Sequence, residues 1–205
     1  PLCIMTVLKT TLAYNNLDTL EGGYGISLRQ LERFAQSTYA DSDVSRWIPH
    51  ADPRTAAGDL TAAAQMHKAV TVMMLKLEAQ VIARNPDFDL QGRDFLNHID
   101  FAAGTVDYHG TVYPLLDCDF PTVDPAAPTT LTAEEGHVIA GLVRSFAESE
   151  RLQRHVQFLY AHGAFYKICN GNLLYHGAVP MTEDGAFAAI RFEGVARSGK
   201  QLFDY

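Results

Sequence analysis

Apolar residues recur three and four positions apart over much of this chain, and the breaks in that rhythm divide it. Leu2, Met5, Leu8, Lys9 and Leu12 keep helical spacing with no capping residue before them, so the opening reads as a helix already in progress. Ser27 is placed to cap a second helix through "LRQLERFAQSTY", with Leu28, Leu31, Phe34 and Ala35 on one face. Pro49 and Pro53 then interrupt. A longer helix is predicted from Asp59, because Met66, Val70, Met73, Met74, Leu77 and Val81 form a stripe that ends at Asn85-Pro86. Its methionines read as core filler.

From "HIDFAAGTVDYHGTVYPLLDCDFPTVDP" onward the pattern shortens. β-prone runs separated by Ala103-Gly104 and His109-Gly110 predict a small sheet, and the tract from Pro121 to Pro128 reads as an ordered loop. Helix resumes at Thr132, where Glu135 three residues on makes a capping box ahead of Val138, Ile139, Leu142, Val143 and Phe146. Another helix is expected from Ser149 to a Gly163 terminator. "AFYKIC" and "NLLYH" flank Asn170-Gly171, a pair suited to a two-residue hairpin turn, so His176 should end a strand. In "SGKQLFDY" Ser198 could start a last helix that stops within about two turns, and with both ends inside helical patterns a fragment is expected. The fold class is α+β.

Composition narrows the functional classes. The chain has 205 residues and is 47% hydrophobic, enough to bury a core. With 16 Lys and Arg against 24 Asp and Glu, a formal charge of -8, no nucleic-acid partner is expected. No apolar run approaches the roughly 20 residues that span a bilayer, so no membrane partner is expected and the location is read as cytoplasmic. Cys3, Cys118 and Cys169 are widely spaced without a CxxC pair, and are expected to be buried reduced thiols.

Few residues suggest chemistry on spacing alone. His176, followed by Gly177, could be a metal ligand at a strand end or a histidine packed near a turn. Arg151, Arg154 and His155 lie within one and a half helical turns and could meet a sugar phosphate, since a guanidinium binds phosphate through paired hydrogen bonds. Glu150 and Arg154 are equally spaced for an ordinary intrahelical pair. "EGGYG" reads as a turn, Glu183-Asp184-Gly185 as another, and Asp117, Asp119 and Asp124 as members of an ordered connection. His67 and His137 fall within helices as packing or surface residues, and no catalytic residue can be assigned.

The segments "NNLDTLEGGYGI", "AQMHKAVTVMMLKLEAQVI", "LLDCDFPTVDP", "SERLQRHVQFLYAHGAFYKI" and "NGNLLYHGAVPMTEDGAF", in that order, resemble the class III fructose-1,6-bisphosphatases. The resemblance implies a calcineurin-like metallophosphatase core holding two divalent ions, with Mn²⁺ the expected metal. Of that family's active-site motifs only the His-Gly matches here, which implies that His176 is a metal ligand. Hard divalent ions also need carboxylate ligands, and none stands in a recognisable arrangement with His176.

It follows from the resemblance that residues 1–26 continue an upstream core, that 27–163 form a mostly helical insertion with a small β element, and that 164–205 form a truncated core segment. The implied parent protein is a phosphoric monoester hydrolase that removes the 1-phosphate of fructose 1,6-bisphosphate in gluconeogenesis. The chain alone is expected to be inactive, and a homo-oligomer is an open expectation. The competing readings are a non-catalytic helical capping or subunit-assembly module, and a metallophosphoesterase acting on another phosphate ester.

Overall fold

The computed structural model of the chain describes residues 1–50, 60–88, 90–175 and 177–205. They form two compact units of an α+β fold. The first takes residues 1–86 and 90–153, and the second takes 154–205 with Asp87 and Phe88.

The first unit is built on three helices in the first part of the chain, Leu2–Ala13 (α1), Arg29–Thr38 (α2) and Thr61–Arg84 (α3), and a fourth, Ala133–Glu148 (α4). α1 and α2 pack on α3, and α4 packs on α2 and α1. Their apolar stripes meet in one core, where Met5, Leu8, Leu31, Val70, Met73 and Leu142 are all essentially sealed from solvent. Each such side chain is worth about 1.5–3 kcal/mol on burial. On α1 the polar face is served locally, because the hydroxyls of Thr6, Thr10 and Thr11 donate to carbonyls four residues back.

α3 is more deeply enclosed than its apolar stripe predicts. Gln65, Lys68, Thr71 and Lys76 are buried together with Met66, Val70 and Met73, so α3 is an axis of the unit and not a surface helix. Its predicted start at Asp59 lies outside the described residues.

Two caps illustrate which local signals hold. Thr132 and Glu135 form the capping box of α4 as expected, each side chain accepting the other's backbone N–H at 3.1 and 2.8 Å. Ser27 does not cap α2. Leu28 holds the cap position, buried, while the Ser27 N–H donates to Ser145 Oγ at 2.9 Å. Burying the leucine at the helix entry displaces the serine by one residue. "EGGYG" belongs to a wide π-type turn, Thr19–Gly23, closed by the Ile26 N–H on the Leu20 carbonyl at 3.0 Å. Val143, expected in the α4 core, is 37% exposed.

A three-stranded antiparallel sheet completes the unit: Ile99–Asp100 (β1), Thr105–Tyr108 (β2) and Thr111–Pro114 (β3), ordered β1-β2-β3. His109 and Gly110 turn β2 into β3 with φ of 52° and 79°, the left-handed pair of a tight hairpin turn.

The helix Glu150–His162 (α5) begins in the first unit and continues into the second. Ser149 caps it by accepting the Leu152 N–H at 3.4 Å. At Gly163 an added Cβ would stand 2.4 Å from the Leu159 carbonyl oxygen, so glycine is required where α5 ends.

In the second unit Tyr166–Cys169 (β4) and Asn172–Tyr175 (β5) form the predicted hairpin, with Asn170 and Gly171 at φ of 51° and 75°. A second hairpin, Ile190–Phe192 (β6) with Val195–Arg197 (β7), turns at Glu193-Gly194, and Gly199–Asp204 (α6) follows. Among the described residues every buried hydrophobic side chain lies in the first unit. In the second, Ile168, Leu173, Met181 and Phe187 are each more than half exposed. The cysteines are free, but Cys3 and Cys169 are exposed and Cys118 half-buried, contrary to the expectation of buried thiols. Cys3 sits on the solvent side of α1, and Cys169 ends a strand of a hairpin with little covering it.

Candidate functional site

His176 lies outside the described residues. Its neighbours are described: β5 ends at Tyr175, and Gly177 has a φ of 79°, a left-handed conformation that favours glycine. On the β4–β5 hairpin, Tyr166 pairs with Tyr175 and Ile168 with Leu173, which puts these four side chains on one face. With Val179, Phe187 and Phe203 they line an apolar pocket of about 320 Å³. Lys200 closes one side, paired with Asp204 and lying 5.7 Å from the centre of the Tyr166 ring.

Arg151, Arg154 and His155 occupy one exposed stretch of α5. Arg151 is already engaged: its guanidinium donates to the Gly23 carbonyl at 2.8 Å and lies over the Tyr24 ring. Beside it, the Ser149 hydroxyl donates to the Tyr24 carbonyl at 2.6 Å. These contacts fix the wide turn against the start of α5. Asp184 closes a turn with the Thr182 hydroxyl, which holds its carboxyl below the usual carboxylate range. His137 is exposed on α4.

Among the described residues no three His, Cys, Asp or Glu side chains gather where they could hold a metal ion. Two acids of "LLDCDFPTVDP" serve one lysine instead, while Asp124 accepts the Ala126 N–H. Lys68, fully buried on α3, meets Asp117 at 2.9 Å and Asp119 at 3.5 Å. The Trp47 indole donates to the same Asp117 oxygen at 2.7 Å, and His67 Nδ1 lies 3.0 Å from the Trp47 carbonyl. Burial pulls the His67 pKa below the ordinary histidine value, because the imidazolium would lose hydration. Two turns along, Lys76 meets Glu135 at 2.8 Å with both side chains sealed from solvent, and donates to the Thr122 carbonyl at 2.6 Å. Gln80 adds a bond to the Thr129 carbonyl at 2.9 Å. The loop 115–131 is thus lashed along α3 by polar contacts.

Sequence reasoning missed this network: Lys68 and Lys76 were assigned no role, although both are flanked by apolar residues of α3, and that position was the available signal.

The family model described as Firmicute fructose-1,6-bisphosphatase matches residues 1–205, and the chain belongs to that family. Among curated proteins it is 43% identical over 203 residues to the fructose-1,6-bisphosphatase class 3 of Clostridium novyi (strain NT), a match covering 98% of this chain and 30% of that protein. It is 44% identical over 205 residues to the protein of that name from Bacteroides fragilis (strain YCH46), covering 98% and 31%. The counterpart from Alkaliphilus metalliredigens (strain QYMF) is 43% identical over 206 residues, again 98% and 31%. The chain therefore spans about a third of the length of these curated relatives. No solved structure matches it. No helix among the described residues is long and apolar enough to cross a membrane.

Proposed function

We propose that this chain is part of a cytoplasmic fructose-1,6-bisphosphatase that hydrolyses the 1-phosphate of fructose 1,6-bisphosphate, giving fructose 6-phosphate and phosphate in gluconeogenesis. The observation that carries the reading is the end-to-end family match at 43–44% identity to proteins named for that activity. Such an enzyme depends on divalent metal, and we assign two ions, Mn²⁺ in kind, to the whole protein. His176 is our candidate ligand from this chain. Among the described residues, which leave out His176, no metal site is assembled, and we assign the carboxylate ligands such ions need to other parts of the longer protein.

Residues 164–205 are our candidate for a segment of a calcineurin-like core. Their support is physical: the hairpin residues Ile168 and Leu173 are 69% and 57% exposed, a condition that a larger sandwich would relieve. Residues 27–163 are our candidate for a mostly helical insertion and 1–26 for the segment leading into it, and both contribute to one core, where Met5, Leu8 and Leu12 pack with Leu31, Val70 and Leu142. That self-sufficient core also suits the second reading, a non-catalytic capping or subunit-assembly module. Arg151, Arg154 and His155, all exposed on α5, are our candidates for phosphate contact, and of the two arginines Arg154 is preferred, because Arg151 donates to the Gly23 carbonyl.

The test compares the full-length protein with its His176→Ala variant. Activity on fructose 1,6-bisphosphate should fall by orders of magnitude, with metal content reduced and only partial rescue by excess Mn²⁺. Near-normal activity and metal content in the variant would remove the ligand role. The 205-residue chain alone should show no turnover with added Mn²⁺, and repurified activity that depends on His176 would overturn that part.

A further inference from the structure

The β4–β5 hairpin leaves both of its edges open, and the two edges are not alike. The two-residue turn at Asn170-Gly171 makes Cys169 and Asn172 a hydrogen-bonded pair, so bonded and non-bonded pairs alternate from there along the strands. Lys167 and Leu174 bond each other. The main-chain groups of Tyr166 and Ile168 on β4, and of Leu173 and Tyr175 on β5, therefore point outward. Among the described residues no further strand pairs with either edge. The side chains of β5 are open as well, with Leu173, Leu174 and Tyr175 57%, 56% and 51% exposed.

The sheet of the first unit is finished differently. There the same alternation puts Val112 and Pro114 on the outward side of β3, with Leu115 turned inward to the Gly104 carbonyl at 2.8 Å. Proline has no N–H to offer, so that edge is blunted. β4 and β5 carry no proline. A bare edge flanked by exposed apolar side chains is a template for another strand.

Charge selects among the strands that a second copy can bring. Pairing β4 with β4, in the antiparallel register that engages every outward group, sets the two Lys167 side chains directly opposite each other, and like charges so placed are destabilising. β5 carries no charge. In its own two-fold register Leu173 and Tyr175 of one copy bond Tyr175 and Leu173 of the other, which pairs every outward N–H and C=O of both strands and brings the two Leu174 side chains face to face. The two-fold axis stands perpendicular to the sheet, so the apolar faces that carry Tyr166, Ile168, Leu173 and Tyr175 join on one side. A mixed pairing of β4 on β5 leaves an edge open on each copy and runs on into a filament.

We propose that the open edge of β5 is a self-recognition site, at which two copies of this chain join antiparallel into one sheet of order β4-β5-β5-β4 with its two-fold axis at Leu174.

The experiment uses the 205-residue chain. Sedimentation equilibrium should show a dimer fraction that rises with concentration. Leu174→Glu should weaken the dimer about tenfold, because the two carboxylates face each other across the axis while each stays beside Lys167 of its own hairpin. With Cys3, Cys118 and Cys169 replaced by serine, Leu174→Cys should close an intermolecular disulfide under mild oxidation, since facing residues of a non-bonded pair lie about 4.5 Å apart at Cα. Lys167→Cys in the same background should not, because β4 is the outer strand. A monomer at every concentration would assign the edge to a strand of the longer protein and overturn the proposal. So would open-ended filaments, a dimer indifferent to Leu174→Glu, or cross-linking through position 167 in place of 174. Should the serine background fail to fold, sedimentation of the unmodified chain and of Leu174→Glu decides between the same outcomes.

Discussion

The Lys76–Glu135 pair makes a quantitative claim about the first unit. Both side chains are sealed from solvent, and the same Glu135 oxygen accepts from Lys76 and from the Thr132 N–H, each at 2.8 Å. Glu135→Leu leaves a buried ammonium with no counter-charge, and Lys76→Met leaves a buried carboxylate. Either change should cost about 3–5 kcal/mol, the range for stripping one partner from a buried pair. The capping-box bond lost with Glu135 is not a separate addition, because the same oxygen makes both contacts. Replacing both residues removes both charges, yet leaves the Thr122 carbonyl and the Thr132 N–H short of partners at about 1–3 kcal/mol each. Apolar packing of similar volume offsets part of that.

The double variant should therefore be no less stable than the worse single one, and far more stable than the two losses added together. Trp47 is the chain's one tryptophan and sits in the first unit, so its fluorescence follows the relevant transition in urea. In thermal melts a chain of this size shifts by about 2–4 °C per kcal/mol, which places each single variant about 6–20 °C below the parent. Single losses under about 1 kcal/mol would mean that the pair behaves as a solvated one. Strict additivity in the double variant would mean that the two charges do not interact. Either result refutes the reasoning.

Other outcomes follow from the same geometry. Lys68→Met should cost about 3 kcal/mol by stranding the mostly buried Asp117, whereas Asp119→Asn, at a 59% exposed side chain, should cost less than about 1 kcal/mol; urea titrations followed at Trp47 compare them. The depressed His67 pKa means that the unfolded chain binds more protons than the folded one below about pH 6.5. The stability from the neutral ring is complete above that value and is lost as pH falls through the lower folded value. The urea midpoint should thus drop between neutral and mildly acidic pH, and drop less in His67→Gln; equal drops would exclude the ring as the cause. Gly171→Ala, at a φ of 75°, should destabilise the β4–β5 hairpin by about 1–2 kcal/mol, read as faster amide exchange there with α3 unchanged.

What the sequence disclosed depended on how far apart the interacting residues lie along it. The α4 capping box joins Thr132 to Glu135 and the β4–β5 turn uses two adjacent residues, so both were legible. The β6–β7 hairpin turns on Glu193, which takes a φ of 49° that a glutamate seldom adopts, and it gave no such signal. Lys76 meets Glu135 across 59 residues and Thr122 across 46, so nothing local marks it as buried. The displaced Ser27 cap has the same origin, a bond to Ser145 across 118 residues. At the candidate site the resemblance implied a ligand role for His176, which spacing alone left open.

The two units answer differently to substitution, and that difference bears on how the chain works in a longer protein. In the first unit helical periodicity and buried ion pairs close on one another, with Leu8, Leu31, Val70 and Met73 all at 0% exposure. Changes there act first on stability, since cutting such a leucine to alanine costs about 2–5 kcal/mol. The second unit buries none of its large apolar side chains among the described residues, and its aromatic pairs, Tyr166 with Phe203 and Phe192 with Tyr205, border an apolar hollow that is left unfilled at Ile168 and Leu173 or lie at the surface. Ile168 and Leu173 project from a two-stranded hairpin, a form marginally stable in water unless something packs on it. Their packing free energy is therefore realised only against further protein. Ile168→Ala should then leave the Trp47 transition of the isolated chain unmoved and yet destabilise the full-length protein, whereas Leu31→Ala should lower both. An equal response of the two variants in the isolated chain would place the apolar hairpin face inside a core that this chain completes by itself.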